Sequence, residues 1–260
     1  MNYETLRFER SGEVATITFA RHEKRNAISA CMIDELIAAL DQAEAANSRA
    51  VIITGEGKAF CAGMDLEDLQ RLAQQSPAQN LEDSRRMARM FLRIRAHPQP
   101  VIAAVNGAAI AGGCGIATLA DFTLAVPEAK FGYSEVRIGF LPALVSVFLR
   151  QQIGEKQARK LLLTGVTIDA AEAHRIGLIT EIVPAASLGS RAGELANSLL
   201  AASPSSIKKT KKLLSRFEEE TILRQIELAI QENAEIRTTA DFREGVASFL
   251  EKRLPRWTGK

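Results

Sequence analysis

Two glycine-bearing turns carry the groups in this chain best placed to do chemistry. The first is Lys58-Ala59-Phe60-Cys61-Ala62-Gly63-Met64-Asp65-Leu66, and the second is Asn106-Gly107-Ala108-Ala109-Ile110-Ala111-Gly112-Gly113-Cys114-Gly115. Each follows an apolar run at a point where a strand would hand over to a helix. Backbone N–H groups exposed at such a junction carry partial positive charge and can hold an anion. The glycines of the second turn let the backbone bend tightly and approach a ligand. They would equally serve close packing of a helix on a sheet, and residue types alone leave both uses open.

Other chemistries fail on spacing. Gly113-x-Gly115 follows an apolar run, but the third glycine of a dinucleotide fingerprint would fall at Thr118, and Glu135 does not end the next strand. Gly55-Glu56-Gly57-Lys58 lacks the spacer of a phosphate-binding loop. Cys31, Cys61 and Cys114 form neither a disulfide framework nor a zinc pattern, and His22, His97 and His174 are too scattered for a metal motif. No metal is expected.

Strands and helices must position these turns, and their patterns alternate along the chain. Val14 to Phe19 concentrates β-branched residues. Ile33, Leu36, Ile37 and Leu40 then mark one face of a helix capped by Ser29. Ala50-Val51-Ile52-Ile53-Thr54 has the continuous apolar character of a strand covered on both faces, and Val101 to Val105, Phe122 to Val126 and Leu178 to Val183 repeat it. The charged segment between Glu67 and His97 is expected to be a mobile loop followed by a helix. From about Ser187 the pattern is helical only, with Ile222, Ile226, Ala229 and Ile230 on one face, and Ser203-Pro204-Ser205-Ser206 marks a break. In Ile207-Lys208-Lys209-Thr210-Lys211-Lys212-Leu213-Leu214 the apolar residues fit a buried stripe and the lysines a solvated face.

Composition narrows the function classes. The 260 residues carry 33 Lys+Arg against 31 Asp+Glu, a formal charge of +2. That balance offers no strong field for nucleic acid or an anionic membrane. No run approaches the roughly 18 apolar residues of a membrane span, and residues 1–10 lack an apolar signal core. A cytoplasmic protein with neither nucleic acid nor membrane as partner is expected.

Ala59-Phe60-Cys61-Ala62-Gly63-Met64-Asp65-Leu66, together with Ile102-Ala103-Ala104-Val105-Asn106-Gly107 running into Ala111-Gly112-Gly113-Cys114 and Asp121, resembles the enoyl-CoA hydratase/isomerase (crotonase) family. The likeness continues through Lys130-Phe131-Gly132-Tyr133-Ser134-Glu135-Val136-Arg137-Ile138-Gly139 and Pro142, Leu163-Thr164-Gly165, Asn26-Ala27-Ile28-Ser29, and Glu244 to Arg253. It implies an α/β fold, a spiral of ββα turns over residues 1–200, with a helical trimerisation region over residues 201–260. A homotrimer or a dimer of trimers binding an acyl-CoA thioester follows, with CoA carried as part of the substrate and no separate cofactor.

By the family motif, the N–H groups of Met64 and Gly112 hold the thioester oxygen as negative charge develops on it, and Glu135 is the acid/base. Lys24, Arg25, Ala62, Asp65, Leu66, Phe249 and Lys252 match CoA-contacting positions. One departure stands out: Gly115 occupies the place where hydratases of the family usually carry a second glutamate. Three readings remain. Glu135 alone adds or removes water, as in branches resembling methylglutaconyl-CoA hydratases; or it shuttles a proton as in the Δ3,Δ2-enoyl-CoA isomerases; or Glu67, Asp68, Glu82 or Asp83 supplies the missing carboxylate. The aspartate that dienoyl-CoA isomerases need eight positions on is replaced by Ala143. An inactive acyl-CoA-binding protein is the non-enzyme alternative.

Overall fold

The computed structural model describes residues 2–260. Three consecutive stretches of chain repeat one move. Each lays a strand in a large sheet, turns, lays a short strand in a second sheet, and returns through helix. The pairs are Ala50–Gly55 with Ala59–Cys61, Val101–Val105 with Ala108–Ile110, and Phe122–Ala125 with Lys130–Gly132. This is the ββα spiral that the resemblance implied.

The large sheet has six strands. Leu6–Ser11 pairs antiparallel with Val14–Phe19, and from there the neighbours are parallel through Ala50–Gly55, Val101–Val105, Phe122–Ala125 and Glu181–Ile182. Its central strands are buried along their whole apolar length, as a sheet covered on both faces requires. The small sheet has four strands. Ala59–Cys61, Ala108–Ile110 and Lys130–Gly132 run parallel, and Thr167–Asp169 closes the edge antiparallel.

The expected helix after Ser29 spans Ala30–Ala45, and the Ser29 side chain accepts from Met32 N at 3.2 Å. Three expectations are corrected. Beyond Glu67 there is no long loop: helices Leu66–Leu72 and Pro77–Ala96 stand four residues apart. Asp65 caps the first through Glu67 N, and a reciprocal Ser76–Gln79 capping box with Pro77 starts the second. Leu69 and Leu72 are buried against Phe242 and Val246 of the C-terminal helix, partners too distant in sequence for local periodicity to register. The run from Leu178 to Val183 is strand only at Glu181–Ile182, because Leu178 N and Ile179 N are turned back onto Ala173 O.

The third correction concerns helix Pro204–Arg216, which buries no residue. Leu213 and Leu214 are 53% and 61% exposed, whereas Lys211 turns inward to the Asp121 carboxylate and Gln99 O. The lysine turns inward because the Asp121 carboxylate and the Gln99 carbonyl both accept from it there, while the leucines face outward.

Gly113 shows how tightly the second spiral turn is stacked on the first. Helix propensity alone would favour Gly113→Ala by about 1 kcal/mol, yet a Cβ there would strike the Cys61 carbonyl oxygen. The obstacle is backbone, so the clash should win and lower the melting temperature by roughly 3–10 °C. Thermal denaturation followed by circular dichroism checks this; an unchanged or higher midpoint would show that the helix can slide off the strand.

Candidate active site

The three parallel strands of the small sheet end side by side, and the chemical groups sit just past their ends. Met64 lies three residues after strand Ala59–Cys61, Gly112 two after Ala108–Ile110, and Glu135 three after Lys130–Gly132. Ligands gather at the carboxyl ends of parallel strands because the chain there leaves the sheet with unspent backbone groups. All three residues line one cavity of about 700 Å³.

The direction of the Met64 N–H follows from its neighbours. Ile28 N donates to Gly63 O at 2.7 Å, and Asp65 N donates to Ile28 O at 2.9 Å. In such a bridge the flanking groups face the partner, so the N–H of Met64 faces the other way. Gly112 opens helix Gly112–Leu119, so its N–H has no partner within that helix. Ala111 sets the angle of that peptide: it adopts φ 50°, ψ −122°, a conformation L-residues avoid, and is held there by Ala111 N donating to Gly132 O at 2.7 Å. Strain of this kind costs about 1–3 kcal/mol and marks backbone held in place for a purpose.

The first turn is locked by side chains. Asn26, fully buried at φ 54°, accepts from Arg21 N and donates to Glu56 O and Ala59 O. Arg21 donates to Ala27 O and to Asp65 Oδ2, both at 2.6 Å. Burial would push the Asp65 carboxyl up, but the Arg21 guanidinium and the Glu67 N–H outweigh it and hold it below the usual carboxylate range. Asp65 therefore borders the cavity while its carboxylate is engaged in fixing the Met64 segment. Arg21 was not singled out from the sequence, since its partner lies 44 positions away.

Glu135 begins the 3-10 turn Glu135–Ile138 and is 8% exposed. Its Oε2 has no hydrogen-bond partner, and Arg137 is exposed, so no salt bridge to that residue neutralises it. Burial pushes its carboxyl up to about 7, against the bond from its own backbone N–H. A carboxyl poised near neutrality can both take and return a proton.

Gly115 lies outside the cavity, beneath its wall. A Cβ there would come within 2.6 Å of Val145 Cγ1 and 2.9 Å of Phe91 Cζ. Two apolar side chains thus fill the space a second carboxylate would need. Asp68 accepts from Ala30 N and pairs with Arg71, Glu82 pairs with Arg89, and Asp83 with Arg237. Glu67 borders the cavity at its open side, paired to Lys24 at 2.9 Å with its side chain 78% exposed. Lys24, Arg25, Ala62, Leu66, Phe249 and Lys252 all border the same cavity. Burial pushes the Cys61 and Cys114 thiols to about 12, which leaves them protonated and poor nucleophiles.

Keeping Glu135 in this setting opposes folding at high pH. Its folded pKa lies above the unfolded one, so the native state is relatively favoured below pH 4.5 and loses that advantage as pH rises through about 7. Glu135→Gln, which does not titrate, should match the parent near pH 4 and exceed it by about 3 kcal/mol above pH 7. Urea unfolding at both values checks this; a pH-independent difference would refute it.

The family model for enoyl-CoA hydratase/isomerase matches residues 9–260. A Thermus thermophilus protein, provisionally named an enoyl-CoA hydratase, is 42% identical over 95% of this chain and 98% of its own. The 2,3-dehydroadipyl-CoA hydratase of Escherichia coli is 31% identical over 96% and 97%. The crystal structure of an enoyl-CoA hydratase/isomerase from Xanthobacter autotrophicus Py2 superposes with a TM-score of 0.89 at 30% identity, covering 97% of this chain and 98% of that one. With that match running through both glycine turns and the Glu135 segment, the chain belongs to the enoyl-CoA hydratase/isomerase family.

Proposed function

We propose that the protein hydrates 2-enoyl-CoA thioesters of short or branched acyl chains, using Glu135 as its one acid/base. The observation that carries this reading is the unpartnered, buried Glu135 carboxyl in the same cavity as the Met64 and Gly112 N–H groups. The thioester carbonyl oxygen accepts from both N–H groups. The Glu135 carboxylate takes a proton from water as its oxygen attacks Cβ, the alkene electron pair moves to the thioester oxygen, and the same carboxyl then protonates Cα. Loss of one oxyanion donor of this kind costs about 10²–10³ in rate. CoA lies at the open side, where Lys24 and Arg25 meet its phosphates and Leu66, Phe249 and Lys252 border its path.

The packing of Val145 and Phe91 over Gly115 favours a second reading. With one carboxylate in place, Glu135 could instead move a proton between Cα and Cγ of a 3-enoyl thioester.

We also propose that the helical region over residues 201–260 forms a trimer. Leu213, Leu214, Phe217, Leu223 and Leu228 are each more than half exposed there, an apolar surface suited to a second copy of the chain. Sedimentation velocity should give three or six chains; a monomer at micromolar concentration would end that reading.

The activity is tested with crotonyl-CoA and 3-methylglutaconyl-CoA, following loss of the conjugated enoyl absorbance. Glu135→Gln should lose about 10²–10⁴ in kcat. The base must be ionised, so kcat/KM should fall tenfold per pH unit below about 7 and level off above it. Formation of conjugated product from a 3-enoyl thioester, with no hydration, would establish the isomerase. Binding without turnover and indifference to Glu135→Gln would leave an acyl-CoA-binding protein.

A further inference from the structure

Among the described residues, two that line the cavity hold a buried side-chain polar atom without a hydrogen-bond partner. One is Glu135, at Oε2, and the other is Arg237, at Nε. Arg237 sits in the 3-10 turn Ile236–Thr238, between helices Glu219–Glu235 and Ala240–Leu250, and is 2% exposed.

Its guanidinium is held on three sides. Nη1 donates to Asp83 Oδ2 at 2.8 Å, Nη2 donates to Asn233 Oδ1 at 2.7 Å, and the group lies over the Phe140 ring at 5.4 Å. The Nε–H remains unspent. Asn233 also borders the cavity, and its Nδ2 reaches Leu141 O only at 3.4 Å, so the amide retains donor capacity.

Exposure orders the cavity. At its mouth the Lys24 and Glu67 side chains are 39% and 78% exposed, whereas Arg237 is enclosed. A thioester held at Met64 and Gly112, with its charged nucleotide outside, extends its acyl chain past Glu135 toward the enclosed end. A methyl-terminated chain would leave the Arg237 Nε–H buried and unpaired, which is expensive. An anionic acceptor removes that penalty, and a planar carboxylate matches a guanidinium edge.

We propose that Arg237, oriented by Asp83 and Asn233, is a recognition site for a carboxylate at the far end of the acyl chain, making thioesters of dicarboxylic acids the substrate class. This rests on reading the cavity as an acyl-CoA site.

The test uses adipoyl-CoA and hexanoyl-CoA, which have equal acyl carbon counts and, being saturated, cannot be hydrated. Calorimetry should show adipoyl-CoA binding the unaltered protein at least about tenfold more tightly. The paired substitution Asp83→Asn with Arg237→Met removes both charges of the ion pair together and should abolish or reverse the preference. Arg237→Lys, which keeps the charge without the Nε donor, should retain part of it. Equal binding, or tighter hexanoyl-CoA binding, by the unaltered protein would overturn the proposal whether or not the variants fold. Preference for adipoyl-CoA without turnover of any enoyl thioester would remove the hydratase reading and leave this site standing. Failure of both esters to bind would remove both.

Discussion

Everything else in this structure depends on bringing the backbone at Met64 and Gly112 and the carboxyl of Glu135 to the wall of one cavity. Backbone groups cannot be moved by rotamers, so the chain itself has to be routed there. Three parallel strands of the small sheet accomplish the routing by ending in line, and the large sheet and returning helices set their spacing. The fine adjustment comes afterwards, from Asn26 and the Arg21–Asp65 pair at the first strand end and from the unusual backbone of Ala111 at the second. These are immobilising features, and preorganisation is what makes dipoles effective toward developing charge.

The third strand end is governed by the opposite constraint. Met64 and Gly112 carry neutral donors that remain available without strong penalty at a cavity surface. Glu135 carries a charge whose burial is unfavourable, and nothing nearby compensates its Oε2. The site therefore concentrates its instability in one side chain and surrounds it with well-packed apolar structure. Arg237 is handled differently: Asp83 balances its charge, so only a single donor is left unmet.

Much of this was legible in the sequence, for physical reasons particular to each part. Strands covered on both faces announce themselves as apolar runs, and Ser29 announced its helix because capping is local. Met64, Gly112 and Glu135 could be named only through the likeness of their short motifs to those of the enoyl-CoA hydratase/isomerase family, since the residue types alone left the use of both glycine turns open. What stayed hidden depends on contacts between remote positions. Helix Leu66–Leu72 rests on Phe242 and Val246, Lys211 turns inward for Asp121, and Arg237 meets Asp83 across 154 positions. Periodicity could not distinguish an outward from an inward face of Pro204–Arg216, because the lysines and leucines there form a clean amphipathic pattern whichever side is covered.

The packing at Gly115 has an evolutionary consequence. A two-carboxylate site is not one substitution away, since even a single added carbon meets Val145 and Phe91. Introducing a glutamate would require a smaller residue at one or both of those positions beforehand, and each such intermediate would open a void in the wall without any benefit to offset it. The filled space therefore acts as a barrier: while Val145 and Phe91 stand there, substitutions that alter the site are accommodated more readily in the acyl pocket around Glu135 than at position 115.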